Sequence, residues 1–397
     1  MFKGKTVVLG VTGSIAAYKI ANLASMLVKQ HAEVHVIMTK NATNFIHPIA
    51  FESLTNTKCL VETFDRNFQF HVAHVSVANK ADVMMIAPAS ANVIGKLANG
   101  IADDMLTTTA MAFHGPMYIA PAMNTHMFEN EILQDNLKKL ERYGKKIIQP
   151  ASGMLACRDI GSGKMPEPEE LFSYIEHALL SSNELKGKKV LITAGPTREA
   201  IDPVRFISNN STGKMGYALA KAASLKGGDV TLVSGLCEQK PPLGVHMVNV
   251  VSASEMAEAV FSRSDEADIV IMTAAVADYT PSVTADQKIK KSDSDMKIEL
   301  KRTTDILGTL GANKKPNQFL CGFCMETEDT VNRASAKLKK KNLDMIVANN
   351  LKITGAGFGT DTNVVTIIEQ NAKHELPLLT KLEVSMTIID KIVKILS

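Results

Sequence analysis

The stretch Gly187-Lys188-Lys189-Val190-Leu191-Ile192-Thr193-Ala194-Gly195-Pro196-Thr197 repeats the layout with which the chain begins. Residues 4–14 have the same order: a glycine, a lysine, a run of β-branched and leucine residues, and a turn of small residues. Such a run without polar alternation predicts a strand buried on both faces, as in a parallel sheet. Because this start occurs twice, we predict two α/β domains in series.

The domain boundary is expected between residues 181 and 188, because residues 181–184 are small and polar, as in a linker. The chain has 397 residues, which exceeds the roughly 100 to 200 residues of one typical domain. We therefore predict one domain over residues 1–183 and a second over residues 188–397. A hairpin and a helix are expected to close the second domain, with the hairpin as an antiparallel edge of its sheet.

Composition is that of a globular protein, with 45% hydrophobic and 21% charged residues. No apolar run approaches the roughly 20 residues of a membrane-spanning helix, and the first residues lead directly into a strand. The net charge of +3 does not favour a nucleic-acid partner. Five cysteines without a disulfide-type spacing suit a reducing compartment, so we expect a cytoplasmic protein without a membrane partner.

The sequence Cys321-Gly322-Phe323-Cys324 has the spacing of a redox or zinc pair. A redox pair of this type begins a helix, whereas this one continues an apolar run. A second pair of zinc ligands is also missing. The pattern argues against both roles and leaves open whether Cys321 and Cys324 have another.

Small and hydroxyl residues end three predicted strands of the first half: Gly13-Ser14, Thr39 and Ser90-Ala91-Asn92. The carboxyl ends of parallel strands meet at one edge of the sheet, where ligands of such sheets bind. Gly13-Ser14 also opens a predicted helix, whose free N–H groups suit a phosphate, although the G-x-G-x-x-G pattern is absent. Together these residues predict a site for a nucleotide-like cofactor.

Three further residues of the first half have both structural and chemical interpretations. Taken alone, His74 is a surface or capping residue ahead of a helix, and Asn124 is the N-cap of the helix that follows it. Cys157 lies in a segment rich in glycine and proline, which predicts a mobile flap with an accessible thiol.

Taken together, these motifs resemble a known family. Gly10-Val11-Thr12-Gly13-Ser14, His74, Pro88-Ala89-Ser90-Ala91-Asn92, Pro121-Ala122-Met123-Asn124 and Ala156-Cys157 resemble the homo-oligomeric flavin-containing cysteine decarboxylases. The whole chain is similar to bacterial proteins in which a phosphopantothenoylcysteine decarboxylase is fused to a phosphopantothenate-cysteine ligase. The resemblance implies two Rossmann-like three-layer domains, of which the first is flavodoxin-like.

The resemblance also implies the cofactor and the chemistry of the first half. Its cofactor would be FMN, which makes decarboxylation possible by oxidising the substrate thiol to a thioaldehyde. His74 would be the active-site base, Asn124 would hold the carboxylate, and Cys157 would supply a proton. The FMN-binding residues would be Gly13, Ser14, Thr39, Ser90 and Asn92.

In the second half, residues 197–216 form a long polar insertion between a strand and its helix, which predicts a binding loop. Its end, Ser211-Thr212-Gly213-Lys214, offers hydroxyl and N–H groups to a phosphate but is not a Walker A loop. Asp278, just beyond another strand, suits a ribose hydroxyl or a metal ion. The lysine runs at 288–291 and 337–341 are either solvated faces or anion sites, because Lys337 and Lys341 share one helix face.

For this half, the resemblance implies a ligase that activates phosphopantothenate with CTP and Mg2+ as an acyl cytidylate, which the cysteine amine then attacks. Asn209 and Lys288 would be catalytic, and the Mg2+ ligands stay unassigned. The CTP-binding residues would be Ser211, Thr212, Gly213, Thr273, Ala274, Asp278, Lys288, Thr303, Asp305, Ile306, Phe323, Lys337 and Lys341.

Two other functions were weighed against this bifunctional enzyme. A flavin- or nucleotide-binding regulatory protein could dispense with His74, Cys157, Asn209 and Lys288, yet all four are present. A pyridine-nucleotide dehydrogenase is disfavoured, because the glycine fingerprint is absent and Thr39-Lys40 follows the second strand instead of an acidic residue. The partners expected are small-molecule substrates and copies of the chain itself, with dimeric ligase domains and a higher assembly of flavin domains.

Overall fold

The computed structural model describes residues 1–64, 73–154, 160–291, 295–326, 330–350, 357 and 359–396. These residues belong to two compact units, Met1–Leu180 and Ser181–Ser397. Within the described ranges, no helix has the length and the apolar character that crossing a bilayer requires.

The first unit is built on a five-stranded parallel sheet with the order β2-β1-β3-β4-β5. This is the flavodoxin-like order, so the predicted fold class is confirmed. Its elements are β1 (Thr6–Val11), α1 (Ala17–Lys29), β2 (Glu33–Met38), a short 3-10 helix (Lys40–Asn44), α2 (Pro48–Thr55), α3 (Ala73–Lys80), β3 (Val83–Ala89), α4 (Ala91–Ala98), α5 (Met105–Ala112), β4 (Met117–Pro121), α6 (Thr125–Phe128), α7 (Glu131–Arg142), β5 (Lys146–Ile147), β6 (Ala151–Met154), β7 (Ile160–Lys164) and α8 (Pro168–Leu180).

The core of this unit has two layers, one on each face of the sheet. Helices α1, α2 and α8 bury their apolar residues on one face, and α3, α4, α5 and α7 cover the other. Every residue of β1, β3 and β4 is buried, which is the reason for their continuous apolar sequences.

Helix α1 begins later than predicted. The sequence placed its start at Gly13-Ser14, but the helix starts at Ala17, after a turn in which the Ala17 N–H donates to the Ser14 carbonyl at 3.0 Å. Ile15 therefore precedes the helix, and Ile15 and Tyr18 are 56% and 59% exposed. Ile20, Leu23 and Leu27, which recur at helical spacing along α1, are fully buried.

The second unit contains an eight-stranded sheet with the order β12-β11-β8-β13-β16-β17-β19-β20. Its elements are β8 (Lys189–Ala194), β9 (Arg198–Ala200), β10 (Phe206–Ser208), α9 (Lys214–Leu225), β11 (Asp229–Ser234), β12 (Val245–Asn249), α10 (Ala253–Ser264), β13 (Ile269–Met272), β14 (Tyr279–Pro281), β15 (Leu300–Arg302), α11 (Ile306–Ala312), β16 (Phe319–Glu326), α12 (Thr330–Lys340), β17 (Met345–Asn350), β18 (Thr362–Asn363), β19 (Val365–Glu369), β20 (Lys373–Glu375), β21 (Leu379–Thr380) and α13 (Lys381–Leu396).

The first six strands of that order are parallel, and in chain order they follow the Rossmann arrangement 3-2-1-4-5-6. Strands β19 and β20 add the antiparallel edge that the sequence predicted. Helices α9 and α13 pack on one face of the sheet, and α10, α11 and α12 pack on the other. The predicted fold class of the second domain is therefore confirmed.

The Cys321-x-x-Cys324 pair lies in the middle of this sheet. Both residues belong to β16, and residues three apart on a strand point to opposite faces. Cys321 accordingly packs in the core with α9 and α13, and Cys324 packs in the core with α12. The two thiols thus lie in different cores, which disfavours a redox or zinc pair, as the sequence predicted.

Candidate functional site

The cofactor residues predicted in the first half lie at one edge of the first sheet. Gly13 and Ser14 follow β1, Thr39 follows β2, and Ser90 follows β3 as the N-cap of α4, whose first turn contains Asn92. All three strands are parallel, so these residues share the carboxyl edge. In the order 2-1-3-4-5 the chain reverses direction between β1 and β3, which is where such sheets bind their ligands.

A buried threonine joins the loops that follow β1 and β3. The Thr12 hydroxyl donates to the Pro88 carbonyl at 2.6 Å and accepts the Ser90 N–H at 2.9 Å. Gly13 then comes close to the turn after β2, because a Cβ atom on Gly13 would lie 2.9 Å from the Asn41 Cβ. Side chains larger than hydrogen are therefore excluded at Gly13, and the edge is fixed in shape.

Thr39 supplies a polar group that the protein itself leaves unsatisfied. Its N–H donates to the Val11 carbonyl at 3.0 Å, but its hydroxyl is buried and has no hydrogen-bond partner among the described residues. An unpaired buried hydroxyl costs free energy, and a ligand with acceptor or donor oxygens would remove that cost. The predicted cofactor edge thus contains a group suited to a polar ligand.

The predicted catalytic residues His74 and Asn124 lie in α3 and in the turn after β4. His74 lies in the first turn of α3, and since Lys80 at the other end of α3 leads into β3, that turn points toward the carboxyl edge. Asn124 follows β4, and its side-chain oxygen accepts the His126 N–H at 2.9 Å. Asn124 is thus the N-cap that the alternative interpretation predicted, and the cap fixes where its side chain lies.

A hairpin of β6 and β7 docks beside Asn124. The Met123 N–H donates to the Gly163 carbonyl at 3.1 Å, and Gly163 has a φ of +127°. A Cβ atom on Gly163 would lie 2.4 Å from the Met123 carbonyl oxygen, so the contact requires glycine. Cys157, predicted to supply a proton, belongs to the connection between these strands and lies outside the described residues.

In the second unit, most of the predicted nucleotide-binding residues line one cavity of about 420 Å³. Its walls come from the carboxyl ends of β8, β13, β16 and β17 and from the start of α9, so it lies where the strand order reverses between β8 and β13. Ligand sites typically measure about 300 to 1,000 Å³. The predicted residues in this lining are Asn209, Ser211, Thr212, Gly213, Thr273, Ala274, Asp278, Phe323 and Lys337.

Two buried threonine hydroxyls shape the cavity floor. Thr193, at the end of β8, accepts the N–H groups of Thr273 and Ala274, both at 3.1 Å. Thr197 accepts the Ala277 N–H at 3.0 Å. The loops after β8 and β13 are therefore held together before any ligand arrives. Asn209 joins the same network, because its side-chain amide donates to the Ala275 carbonyl at 2.9 Å.

Gly216 allows α9 to approach this floor closely. A Cβ atom at Gly216 would lie 2.5 Å from the Ala194 Cβ and 2.9 Å from the Thr193 carbonyl oxygen. Only a glycine permits this contact, which sets the start of α9 beside the cavity.

Substitution of Gly216 by alanine is therefore expected to push α9 away from β8. We expect the free energy of unfolding of the second unit to fall by about 1 to 3 kcal/mol, the usual cost of overpacking. Differential scanning calorimetry would measure this loss. Gly95→Ala is the control, because its nearest neighbour beyond α4 would be 3.9 Å from the new methyl group. Equal transition temperatures for the two variants would show that α9 shifts freely.

Four other predicted nucleotide residues, Thr303, Asp305, Ile306 and Lys341, are not part of the cavity lining. Thr303 donates to the carbonyl of Ala277 at 2.6 Å, and Asp305 caps α11 through the Gly308 N–H at 2.9 Å. Lys341 donates to Asp305 at 2.9 Å. The sequence suggested an anion site at Lys337 and Lys341. For Lys341, the anion in the structure is the Asp305 carboxylate. Ile306 is buried.

Asp305 keeps its charge through that partnership. Burial alone would raise the pKa of its carboxyl, but the Gly308 N–H and the Lys341 ammonium outweigh that effect and hold the pKa below its usual value. Because the Thr303 N–H also donates to the Asp278 carbonyl at 3.0 Å, this group supports the loop that carries Asp278.

Lys288 does not line the cavity of its own chain. It is exposed in the connection between β14 and β15. The next residue, Ile289, donates its N–H to Asp202 at 3.1 Å and accepts a hydrogen bond from Arg205 at 2.9 Å. The backbone beside Lys288 is therefore anchored, whereas its ammonium group extends into solvent.

Four polar residues of the lining were not among the predicted site residues: Lys214, Asn349, Asn363 and Lys381. Lys214 belongs to the quoted loop end, so its helix-start position was a usable signal. Asn363 and Lys381 come from the C-terminal hairpin and helix, where the sequence predicted no catalytic residue. Only the sheet order brings those segments to the cavity.

Each unit is a doubly wound α/β structure with a cluster of polar loops at the carboxyl edge of its sheet. Two such units in series define a tandem protein of the nucleotide- and flavin-binding class. Residues 1–180 match the flavoprotein family, and residues 185–396 match the DNA/pantothenate metabolism flavoprotein C-terminal domain. The coenzyme A biosynthesis bifunctional protein CoaBC of Bacillus subtilis (strain 168) is 50% identical over 396 residues, 99% of this chain and 97% of the relative.

Two further similarities complete the comparison. A cysteine/cysteine sulfinic acid decarboxylase from an unknown prokaryotic organism is 46% identical over 353 residues, 87% of this chain and 98% of that protein. The crystal structure of the C-terminal domain of a coenzyme A biosynthesis bifunctional protein CoaBC is 47% identical, with a TM-score of 0.47, and covers 54% of this chain and 98% of that structure.

The chain belongs to the family of bifunctional coenzyme A biosynthesis proteins. It is a flavoprotein enzyme of coenzyme A biosynthesis that combines a decarboxylase with a ligase.

Proposed function

We propose that residues 188–397 join 4'-phosphopantothenate to cysteine at the expense of CTP, and that residues 1–183 then decarboxylate 4'-phosphopantothenoylcysteine to 4'-phosphopantetheine with FMN. The assignment of one activity to each half is supported by the two family matches, which meet near the same boundary. The substrates would be small molecules, and the chain would act as a homo-oligomer, with paired ligase domains and a larger assembly of flavin domains.

The decarboxylase proposal rests on the carboxyl edge of the first sheet. The unpaired Thr39 hydroxyl and the hydroxyls of Ser14 and Ser90 suit the phosphate and ribityl oxygens of FMN. When bound, FMN supplies the two-electron oxidation that gives the substrate an electron sink for loss of CO2. His74 would accept the substrate's proton, and Asn124, held by its cap, would orient the carboxylate. Cys157 would donate a proton to the product carbon.

The observation that carries the ligase proposal is the charge of the cavity. Among the described residues, its lining includes three lysines, at 214, 337 and 381, and one carboxylate, Asp278. Together with the start of α9, this surplus of cations suits a polyphosphate. Mg2+ would arrive with the triphosphate, whose oxygens are its usual ligands.

The ligase reaction would then proceed in two steps. The phosphopantothenate carboxylate attacks the α-phosphorus of CTP, the bond between the α- and β-phosphates breaks, and pyrophosphate leaves. The amine of cysteine attacks the acyl carbon, and CMP leaves as the amide forms. Asn209 would hold the acyl cytidylate from the cavity wall. Lys288, which lies outside the cavity lining of its own chain, would stabilise the departing pyrophosphate of the paired ligase domain.

The purified full-length chain is expected to carry a flavin absorbance and to convert 4'-phosphopantothenate, cysteine and CTP to 4'-phosphopantetheine, CO2, CMP and pyrophosphate. Chromatography of the products and a pyrophosphate assay would measure this. Omission of CTP should stop every product, and ATP in its place would measure nucleotide preference. Release of CO2 from free cysteine but not from 4'-phosphopantothenoylcysteine would favour instead the activity named for the 46% identical relative.

A further inference from the structure

Lys381, the first residue of α13, is a buried cation of the cavity wall. It is only 7% exposed, and its ammonium donates to the carbonyls of Gly357, at 3.1 Å, and Thr360. An ammonium has three N–H donors, and the third has no partner among the described residues. The charge also stands at the start of a helix, where the helix dipole disfavours a cation.

Lys214 places a second positive charge close to Lys381. Its ammonium donates to Asp361 at 2.6 Å and to the Gly359 carbonyl at 2.7 Å. The Asp361 side chain is 87% exposed, so water weakens its attraction to the ammonium groups of Lys214 and Lys381. Burial, and secondarily the proximity of Lys214, lower the pKa of Lys381. The protein thus holds two like charges together without a buried counter-ion among the described residues.

The two lysines occupy the opposite side of the sheet from Lys337. Lys214 and Lys381 begin α9 and α13, which pack on one face, whereas Lys337 belongs to α12 on the other. All three line the same cavity. The cavity therefore crosses the sheet edge with cations on both sides, which suits a ligand with more than one anionic group or two ligands bound side by side.

A pair of amides forms the wall beside the two lysines. The Asn363 side chain, 1% exposed, donates to the Asn349 side-chain oxygen at 3.2 Å, and both residues line the cavity. Because Asn363 comes from β18 and Asn349 from β17, this bond fixes the C-terminal segment against the sheet. The position of Lys381 is thus built by the fold.

We propose that Lys214 and Lys381 form a phosphate-binding subsite of the ligase cavity, in which the unpaired N–H of Lys381 donates to a phosphate oxygen of the ligand. The inference rests on the proposed ligase function and adds a second anion position to it. The phosphate belongs either to the triphosphate of CTP or to the phosphate monoester of 4'-phosphopantothenate. Both have the same chemistry, and the experiment separates them.

The test uses the full-length flavoprotein and the variants Lys381→Met and Lys214→Gln. Calorimetric titrations with CTP and CMP, and the KM values for 4'-phosphopantothenate and pantothenate, would be compared with the wild type. We expect the affinity for the phosphate-bearing ligand to fall roughly tenfold to a hundredfold, as for loss of a charged hydrogen bond. If the affinity falls for CTP but not for CMP, the subsite binds the triphosphate. If the KM rises for 4'-phosphopantothenate but not for pantothenate, the subsite binds the phosphate monoester.

Matched controls separate a binding role from a structural one. Lys240→Gln removes an exposed lysine of the same unit that does not line the cavity, and it should bind like the wild type. Circular dichroism and the thermal transition of the second unit report its folding, and flavin content and decarboxylation, assigned to the other unit, should stay unchanged. If the Lys381→Met variant does not fold, the ligand affinities of Lys214→Gln alone test the proposed subsite. Unchanged affinities, or equal losses for ligands with and without the phosphate, would overturn the subsite, whereas a wild type that binds no CTP would overturn the proposed function itself.

Discussion

Replacement of His74 by asparagine is expected to abolish CO2 release from 4'-phosphopantothenoylcysteine while pyrophosphate release by the same chain continues at the wild-type rate. His74 lies in the first turn of α3, toward the carboxyl edge that carries Thr39 and Ser90. Loss of a positioned general base lowers rates by roughly a hundredfold to ten-thousandfold. Trapped CO2 and coupled pyrophosphate detection would measure the two activities in one preparation.

His31→Asn is the matched control for that experiment. His31 is exposed, lies next to the amino end of β2, and has a φ of 66°, which asparagine tolerates. This variant should keep both activities. The separation of the chain into Met1–Leu180 and Ser181–Ser397 motivates the expectation of independent sites. Loss of both activities in a His74→Asn protein that still carries its flavin would contradict that independence.

The fold could be predicted because its local signals agree with one another. The apolar run at Gly187 repeats the one at Gly4, and both runs form the first strand of a parallel sheet. The order of the strands could not be predicted from local sequence patterns, because the pairing of β8 with β13 joins residues that are far apart in sequence. The resemblance to a family supplied the flavodoxin-like arrangement, and the structure then gave the order.

The candidate site could be predicted only where its residues follow strands. Thr273 directly follows β13, Ser211 lies in the loop just before α9, and both line the cavity. Lys381 carries no such signal, because a lysine at the start of an amphipathic helix has the pattern of a surface residue. Its ammonium is buried against the carbonyls of Gly357 and Thr360, a contact that no local pattern encodes.

Lys341 shows a different limit of local sequence patterns. Its spacing from Lys337 suggested an anion between two neighbouring cations, but the structure pairs Lys341 with Asp305 at 2.9 Å. Asp305 lies 36 residues earlier in the chain. Helical spacing identifies which side chains are neighbours on one helix, and it cannot identify a counter-ion that the tertiary fold supplies.

Lys288→Gln is expected to slow pyrophosphate release from CTP and 4'-phosphopantothenate by roughly a hundredfold, comparable to removal of one preorganised electrostatic contact. A cation that meets charge as it shifts onto pyrophosphate stabilises the transition state more than bound CTP. The rate should therefore fall more than the affinity for CTP. The measurement is pyrophosphate release without cysteine, so that the first half-reaction is observed alone, together with CTP affinity by calorimetry.

The structure makes this test more specific, because the hydrogen bonds that hold the segment are made by Ile289 and not by the Lys288 side chain. Asp202 accepts the Ile289 N–H, and hydrogen bonds from Arg205 hold the pKa of Asp202 well below its usual range. Loss of the Lys288 ammonium leaves that anchor intact, so a rate effect would reflect its charge. Lys290→Gln, two residues away in the same exposed run, is the matched control and should keep the wild-type rate. If all three proteins release pyrophosphate at the same rate, the lysine run is a solvated surface. The departing pyrophosphate would then be stabilised by Lys214, Lys337 and Lys381 of the cavity wall.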